Sequence, residues 1–117
     1  MSELIIYHNT RCSKSRQTLQ LLEQHNKKPI IVEYLKTAPS FNELQNIIQM
    51  LGFDSARLLM RKGEEVYKLE NLNSPELTQT QLIEAMLKHP ILIERPIVVY
   101  QGKAVLGRPP ENVLSLL

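Results

Sequence analysis

Residues 4–7 read LIIY and residues 29–35 read PIIVEYL, two short apolar runs on either side of a single helical segment. A continuous apolar run of four residues is the pattern of a strand buried on both faces. The second run, rich in β-branched and aromatic side chains and opened by Pro29, reads as another strand. Between them a helix opens at Ser13 or just before it. Thr18, Leu21, Leu22 and His25 fall on one side of that helix, with Leu19 at its edge, and Asn26 and Lys27 suit its end. Strand, helix and strand with a short return imply a parallel βαβ unit. Every later strand must add to the sheet that this unit begins.

From residue 40 the period changes. Ser40 and Glu43 stand at capping-box spacing, and Leu44, Ile47, Ile48 and Leu51 then recur at helical intervals until Gly52. A second short helix is predicted over residues 55–62. A third follows Thr78 and Gln81, which repeat the capping box, and closes at Lys88, His89 and Pro90. Residues of about 40–90 therefore read as a helical block. The chain then returns to β structure. PIVVY at 96–100 and KAVLG at 103–107 flank Gln101-Gly102, a two-residue hairpin turn, and PPENVLSLL ends the chain as a helix. The predicted fold class is α/β, a four-stranded mixed sheet in thioredoxin-like order with the helical block inserted after the second strand.

With 117 residues, 43% of them hydrophobic, the chain suffices for one domain over 1–117 and is too short for two ordinary ones. The net charge is only +2 and the basic residues are scattered, so no nucleic-acid stripe is present. No apolar run reaches membrane-spanning length, and the N-terminus does not resemble a secretion signal. Three histidines form no obvious metal cluster. One cysteine cannot make an intrachain disulfide, and a cytoplasmic location is the default expectation.

That cysteine, Cys12, lies in YHNTRCSKSR, where the first strand hands over to the first helix. A free cysteine is often inert core filler, but a strand-to-helix turn crowded with polar residues is a poor place for filler. Unpaired N–H groups at a helix start favour a thiolate. Ser15, one turn on, can donate its hydroxyl to the sulfur, and His8, Arg11 and Arg16 add positive or polarisable groups. All three effects push the thiol pKa downward. Position 15 is where a dithiol protein carries its second cysteine. With Cys-x-x-Ser instead, an outside thiol must resolve any adduct.

Arginines supply a second constellation. Arg61 ends the predicted helix over 55–62, while Arg95 and Arg108 each precede a proline at the joints of the hairpin. A loop at those joints faces the Cys12 turn in a thioredoxin-like sheet. Singly, each is expected to be a solvated surface charge. Together, three planar forks beside a helix N-terminus would suit a tetrahedral oxyanion.

Taken together, YHNTRCSKSR, the Arg61-Lys62 pair, HPILIERPIVV at 89–99 and GRPPE at 107–111 resemble the glutaredoxin-coupled arsenate reductase family. The resemblance covers essentially the whole chain. The active-site run carries Thr10, Ser13 and Lys14 where HNPxCGTSR has Pro, Gly and Thr, and so is similar to a sister branch with a C-S-K-S-R motif. The resemblance implies that Cys12 attacks arsenate, that Arg61, Arg95 and Arg108 hold the oxyanion, and that His8 and Ser15 tune the thiolate. It further implies glutathione as co-substrate, glutaredoxin as reducing partner, no bound cofactor or metal, and a monomer.

Two alternatives follow from the same residues. A glutathione-linked thiol reductase of another substrate would keep the cysteine chemistry. A non-catalytic regulatory module of the same fold would keep only the shape, although thiol-switch regulators of that kind resemble Cys-x-x-Cys. The phosphatase-like Cys-x5-Arg pattern fails, because Thr18 stands six residues after Cys12.

Overall fold

The computed structural model describes residues 3–117 and divides into two compact units. One unit comprises the residues through Thr37 together with Arg95–Leu117, and the other comprises Ala38–Glu94.

The first unit is built on β1 (Ile5–Tyr7), α1 (Ser13–Gln24), β2 (Ile30–Val32), β3 (Ile97–Tyr100) and β4 (Lys103–Leu106), and ends in a 3₁₀ helix over Pro110–Leu116. The sheet order is β2-β1-β3-β4. Strand β1 pairs parallel with β2 and antiparallel with β3, and β3 pairs antiparallel with β4. This is the thioredoxin-like arrangement. Gln101 and Gly102 both take positive φ, 53° and 76°, as a type I′ hairpin turn requires. Leu4, Ile6, Leu22, Val98 and Val113 form a buried core under α1 and the C-terminal 3₁₀ helix. Each such side chain contributes about 1.5–3 kcal/mol through burial.

Three boundaries differ from those read in the sequence. Strand β2 stops at Val32 and not at residue 35, because the Glu33 carbonyl accepts from the N–H groups of Lys36 and Thr37 and closes a turn. The helix expected over 55–62 is a 3₁₀ turn, Ala56–Leu59. Met60 then pairs with Ile93 in an isolated antiparallel bridge, and the Arg61 N–H donates to the Leu92 carbonyl at 2.7 Å. Arg61 therefore lies beyond the helix on extended chain. The C-terminal segment is likewise 3₁₀ in place of α-helix.

The second unit holds α2 (Phe41–Met50), the 3₁₀ turn at Ala56–Leu59, α3 (Glu65–Leu69), α4 (Gln79–Lys88) and a 3₁₀ turn at Pro90–Leu92. Complete capping boxes, Ser40 with Glu43 and Thr78 with Gln81, start α2 and α4. Leu44, Ile47 and Ile48 of α2 and Leu82, Ile83 and Met86 of α4 are buried, as their spacing predicts. Arg57 is structural here. Its guanidinium donates to the Tyr67 hydroxyl at 2.8 Å, to the Leu72 carbonyl, and to the Ser74 carbonyl at 2.8 Å. Among the described residues no helix is long and apolar enough to cross a membrane.

Within the first unit one close approach ties α1 to the end of β4. Thr18 is fully buried, and its hydroxyl donates to the Lys14 carbonyl at 2.8 Å and lies 3.3 Å from that of Gly107. A Cβ on Gly107 would collide with the Thr18 hydroxyl and stand 2.8 Å from the Pro96 ring. Gly107→Ala is therefore expected to destabilise the protein by about 1–3 kcal/mol. Urea denaturation checks this, and an unchanged midpoint would show that α1 and the hairpin are not in such contact.

Candidate active site

Cys12 is the N-cap residue of α1, in extended conformation and partly exposed. The loop before it is shaped by Asn9. The Asn9 side-chain oxygen accepts from the Arg11 N–H at 3.0 Å, and its carbonyl accepts from the Cys12 N–H at 3.0 Å. This is an Asx turn. Arg16 then reaches back from α1 to the Thr10 carbonyl at 2.9 Å, which ties the loop to the helix.

Strand register brings the two hairpin arginines to the same place. Tyr7 pairs with Ile97, so the residues before β3 run beside those after β1. Ile97 also pairs with Leu106, and the Gly107 N–H donates to the Pro96 carbonyl at 3.0 Å. Residues 95 and 108 therefore lie next to each other. Both Arg95-Pro96 and Arg108-Pro109 are cis peptides. The Arg108 Nη1 donates to the Arg95 carbonyl at 3.3 Å and lies 4.0 Å from the Cys12 sulfur. Arg95, with Nε and Nη1 buried, donates a hydrogen bond to that sulfur.

Partial burial acts to raise the Cys12 pKa. The main-chain N–H of Ser15, the hydrogen bond and charge of Arg95, and the N–H of Lys14 outweigh it, and the thiol titrates below its ordinary value. N–H groups two and three residues into a helix are the ones a capping side chain engages. The Cys12 side chain makes no capping hydrogen bond of its own, and these N–H groups act on the sulfur electrostatically from the helix start.

Ser15 and His8 are together, but in a different arrangement from the one expected. The Ser15 hydroxyl does not serve the sulfur. It lies 2.6 Å from His8 Nδ1 and accepts from the Asn9 N–H at 3.0 Å. The reason is direction, since a helical side chain leans back over the preceding turn, and Ser15 is fully buried there. Its main-chain N–H is the group that lowers the Cys12 pKa instead. Nor is His8 a cation. Burial lowers its pKa, and although Glu33 acts to raise it and Arg16 to lower it, the net shift is downward. A neutral imidazole accepting the Ser15 hydroxyl hydrogen at Nδ1 carries its own hydrogen on Nε2.

Arg61 belongs to the helical unit. Its Nε donates to Glu64 at 3.1 Å and its Nη1 to Glu94 at 2.8 Å. Desolvation works against its charge, but the two carboxylates outweigh that and raise its pKa. Arg95 and Arg108 thus stand at Cys12 itself, whereas Arg61 is described by its carboxylate partners. Asn9, Glu64 and Glu94 are not singled out by the sequence. Only Asn9 carried a usable signal there, as an Asn two residues before a basic residue at a helix entry.

A thioredoxin-like sheet with one activated cysteine capping its first helix defines a single-thiolate class of protein, in contrast to dithiol redox proteins. Residues 7–116 match the profile of the ArsC family. The chain is 52% identical over 114 residues to the arsenate reductase of Haemophilus influenzae, covering 97% of this chain and 98% of that one. It is 46% identical over 117 residues to the arsenate reductase of Neisseria meningitidis serogroup A, covering 100% of both. The solved arsenate reductase from Vibrio cholerae superposes with a TM-score of 0.96 at 50% identity, covering 98% of each chain. The chain belongs to the ArsC family.

Two outcomes test the electrostatics. Alkylation of Cys12 against pH is expected to show a midpoint below the ~8.5 of a free thiol. Ser15→Ala should leave that midpoint in place, because it retains the main-chain N–H, while costing about 1–3 kcal/mol of stability through the unsatisfied imidazole. A large upward move of the midpoint would restore the hydroxyl to the sulfur. His8 gives a second dependence. Its unfolded-state pKa is about 6.5 and its native value is lower. Above 6.5 both states are neutral. As pH falls through 6.5 the unfolded chain binds the proton first, so stability declines until the native pKa is passed. Urea midpoints between pH 7 and 5 should fall in wild type and fall less in His8→Gln.

Proposed function

We propose that the protein is an arsenate reductase in which Cys12 forms the covalent adduct and glutathione and glutaredoxin complete the cycle. The observation that carries this reading is a lone, lowered-pKa thiol with two arginines beside it, in a chain about half identical to proteins named arsenate reductase. Arg95 and Arg108 hold the oxyanion at the α1 N-terminus. His8 and Ser15 act on the loop that carries the nucleophile.

The Cys12 thiolate attacks arsenic, and one arsenate oxygen leaves as water after taking two protons. A glutathione thiolate then attacks the Cys12 sulfur. The sulfur–arsenic bond breaks with its electron pair going to arsenic, which passes from As(V) to As(III) and departs as arsenite. The Cys12–glutathione disulfide that remains is reduced when a glutaredoxin thiolate attacks the glutathione sulfur and frees Cys12. Two electrons enter arsenic and two thiols become a disulfide, so the step balances. A cleft of about 210 Å³ running along residues 8–11 toward Glu33 and Lys36 gives a small second thiol room to approach this loop. The site carries out this chemistry in a monomer exposed to the cytoplasmic glutathione pool.

Arsenite production from arsenate with glutathione and glutaredoxin tests the reading, with Cys12→Ser expected to be inactive. Arg95→Lys keeps the charge but loses the planar fork. It should cost about one to two orders of magnitude in turnover or anion affinity, the worth of one charge-assisted hydrogen bond. Wild-type activity without arsenate reduction, on disulfide substrates alone, would reassign the thiol to a general glutathione-linked reductase.

A further inference from the structure

We propose that the cleft on the β2 flank of the Cys12 loop is the subsite for glutathione, with Arg11 and Lys36 taking its carboxylates and Glu33 its ammonium group. The inference rests on the glutathione-dependent cycle proposed for Cys12 and names the side from which the second thiol enters.

Sheet order decides that side. Strand β1 lies between β2 and β3, with Tyr7 opposite Val32 on one edge and Ile97 on the other. Because β1 and β2 are parallel, the residues after Tyr7 and those after Val32 leave the same end of the sheet. The loop of residues 8–12 therefore has Arg95 and Arg108 on its β3 flank and residues 33–36 on its β2 flank. Arg95 donates to the Cys12 sulfur, and Arg108 stands 4.0 Å from it. An oxyanion held by those two forks places arsenic on the β3 flank. Displacement at sulfur runs in line. The new sulfur–sulfur bond forms opposite the sulfur–arsenic bond, which breaks with its electron pair leaving on arsenic. The glutathione thiolate must then arrive from the β2 flank, where the cleft opens.

Main-chain bonds fix both walls of the cleft. The His8 N–H donates to the Val32 carbonyl at 2.8 Å and ties the loop wall to the end of β2. The Glu33 carbonyl accepts from Lys36 at 2.9 Å and from Thr37 at 3.0 Å, and this turn sets Glu33, Leu35 and Lys36 along the other wall. The volume, about 210 Å³, suits an open groove that grips part of a short peptide.

The charges of the lining are complementary to this ligand. Near neutral pH glutathione carries two carboxylates and one ammonium group. The cleft offers the Arg11 guanidinium, the Lys36 ammonium and the Glu33 carboxylate. Without ligand, Lys36 and Glu33 pair with each other at 3.4 Å, with side chains 78% and 41% exposed. Such an exposed pair contributes little to stability, so ligand groups of opposite sign can replace each partner. Leu35, also largely exposed, gives the methylene arm of the γ-glutamyl group an apolar contact.

The test needs no arsenate. Cys12, the only cysteine in the chain, is converted to its mixed disulfide with thionitrobenzoate, whose carboxylate stands in for the oxyanion. Glutathione attack at the Cys12 sulfur releases coloured thionitrobenzoate and leaves a protein–glutathione disulfide, identified by mass. The readout is the rate constant with glutathione divided by that with mercaptoethanol, a thiol without other charges. This ratio removes any change in the reactivity of the sulfur itself. Arg11→Gln, Lys36→Gln and Glu33→Gln should each lower it about twofold to fivefold, the scale of one exposed ion pair. Glu33→Gln is the sharpest of them. Glutathione is net negative, so general charge attraction alone would raise the ratio when Glu33 is neutralised, and a rise would overturn the proposal. An unchanged ratio in all three variants would overturn it as well. If wild type then still forms arsenite with glutathione, the reductase reading stands without this subsite. A lowered ratio in a protein that forms no arsenite would keep the subsite and reassign the thiol to another glutathione-linked substrate.

Discussion

A sulfur at a half-buried position loses hydration, and burial alone would keep the Cys12 proton in place. What holds the anion is a convergence of donors from two distant parts of the chain. The N–H groups of Lys14 and Ser15 come from the first turn of α1, and the guanidinium of Arg95 comes from the approach to β3. They meet only because β1 and β3 are antiparallel neighbours with Tyr7 opposite Ile97. The four-stranded sheet can be understood as the device that brings residue 95 to residue 12. Closure of the hairpin then adds residue 108, through the same register.

Much of that convergence is legible in the residues themselves. A continuous apolar run marks β1, the two capping boxes mark α2 and α4, and Gln101-Gly102 marks β3 and β4 as a hairpin. Each is a local signal with a local cause. What escaped depended on partners far away in sequence. Nothing near Arg61 announces that its N–H goes to Leu92, so residues 55–62 looked like one helix, whereas pairing of Met60 with Ile93 ends it at Leu59. Arg57 carries no sequence signal of its own, yet it ties the 3₁₀ turn to the carbonyls of Leu72 and Ser74.

Ser15 shows the same limit at finer grain. Its place one turn after Cys12 was enough to associate the two residues, but spacing does not tell main chain from side chain. The hydroxyl turns to His8 and the N–H turns to the sulfur. One residue therefore serves two neighbours with two different groups, and burial of His8 removes the charge that sequence proximity suggested.

Because two of the donors that hold the sulfur anion belong to the peptide backbone, no exchange of side chains at positions 13, 14 or 15 short of proline deletes them. The Ser13 and Lys14 side chains are exposed, replaceable decoration on a fixed electrostatic frame. A protein built this way can drift among substrates while its nucleophile stays primed. That makes the first turn of α1 a place where side chains can change without loss of the primed thiolate.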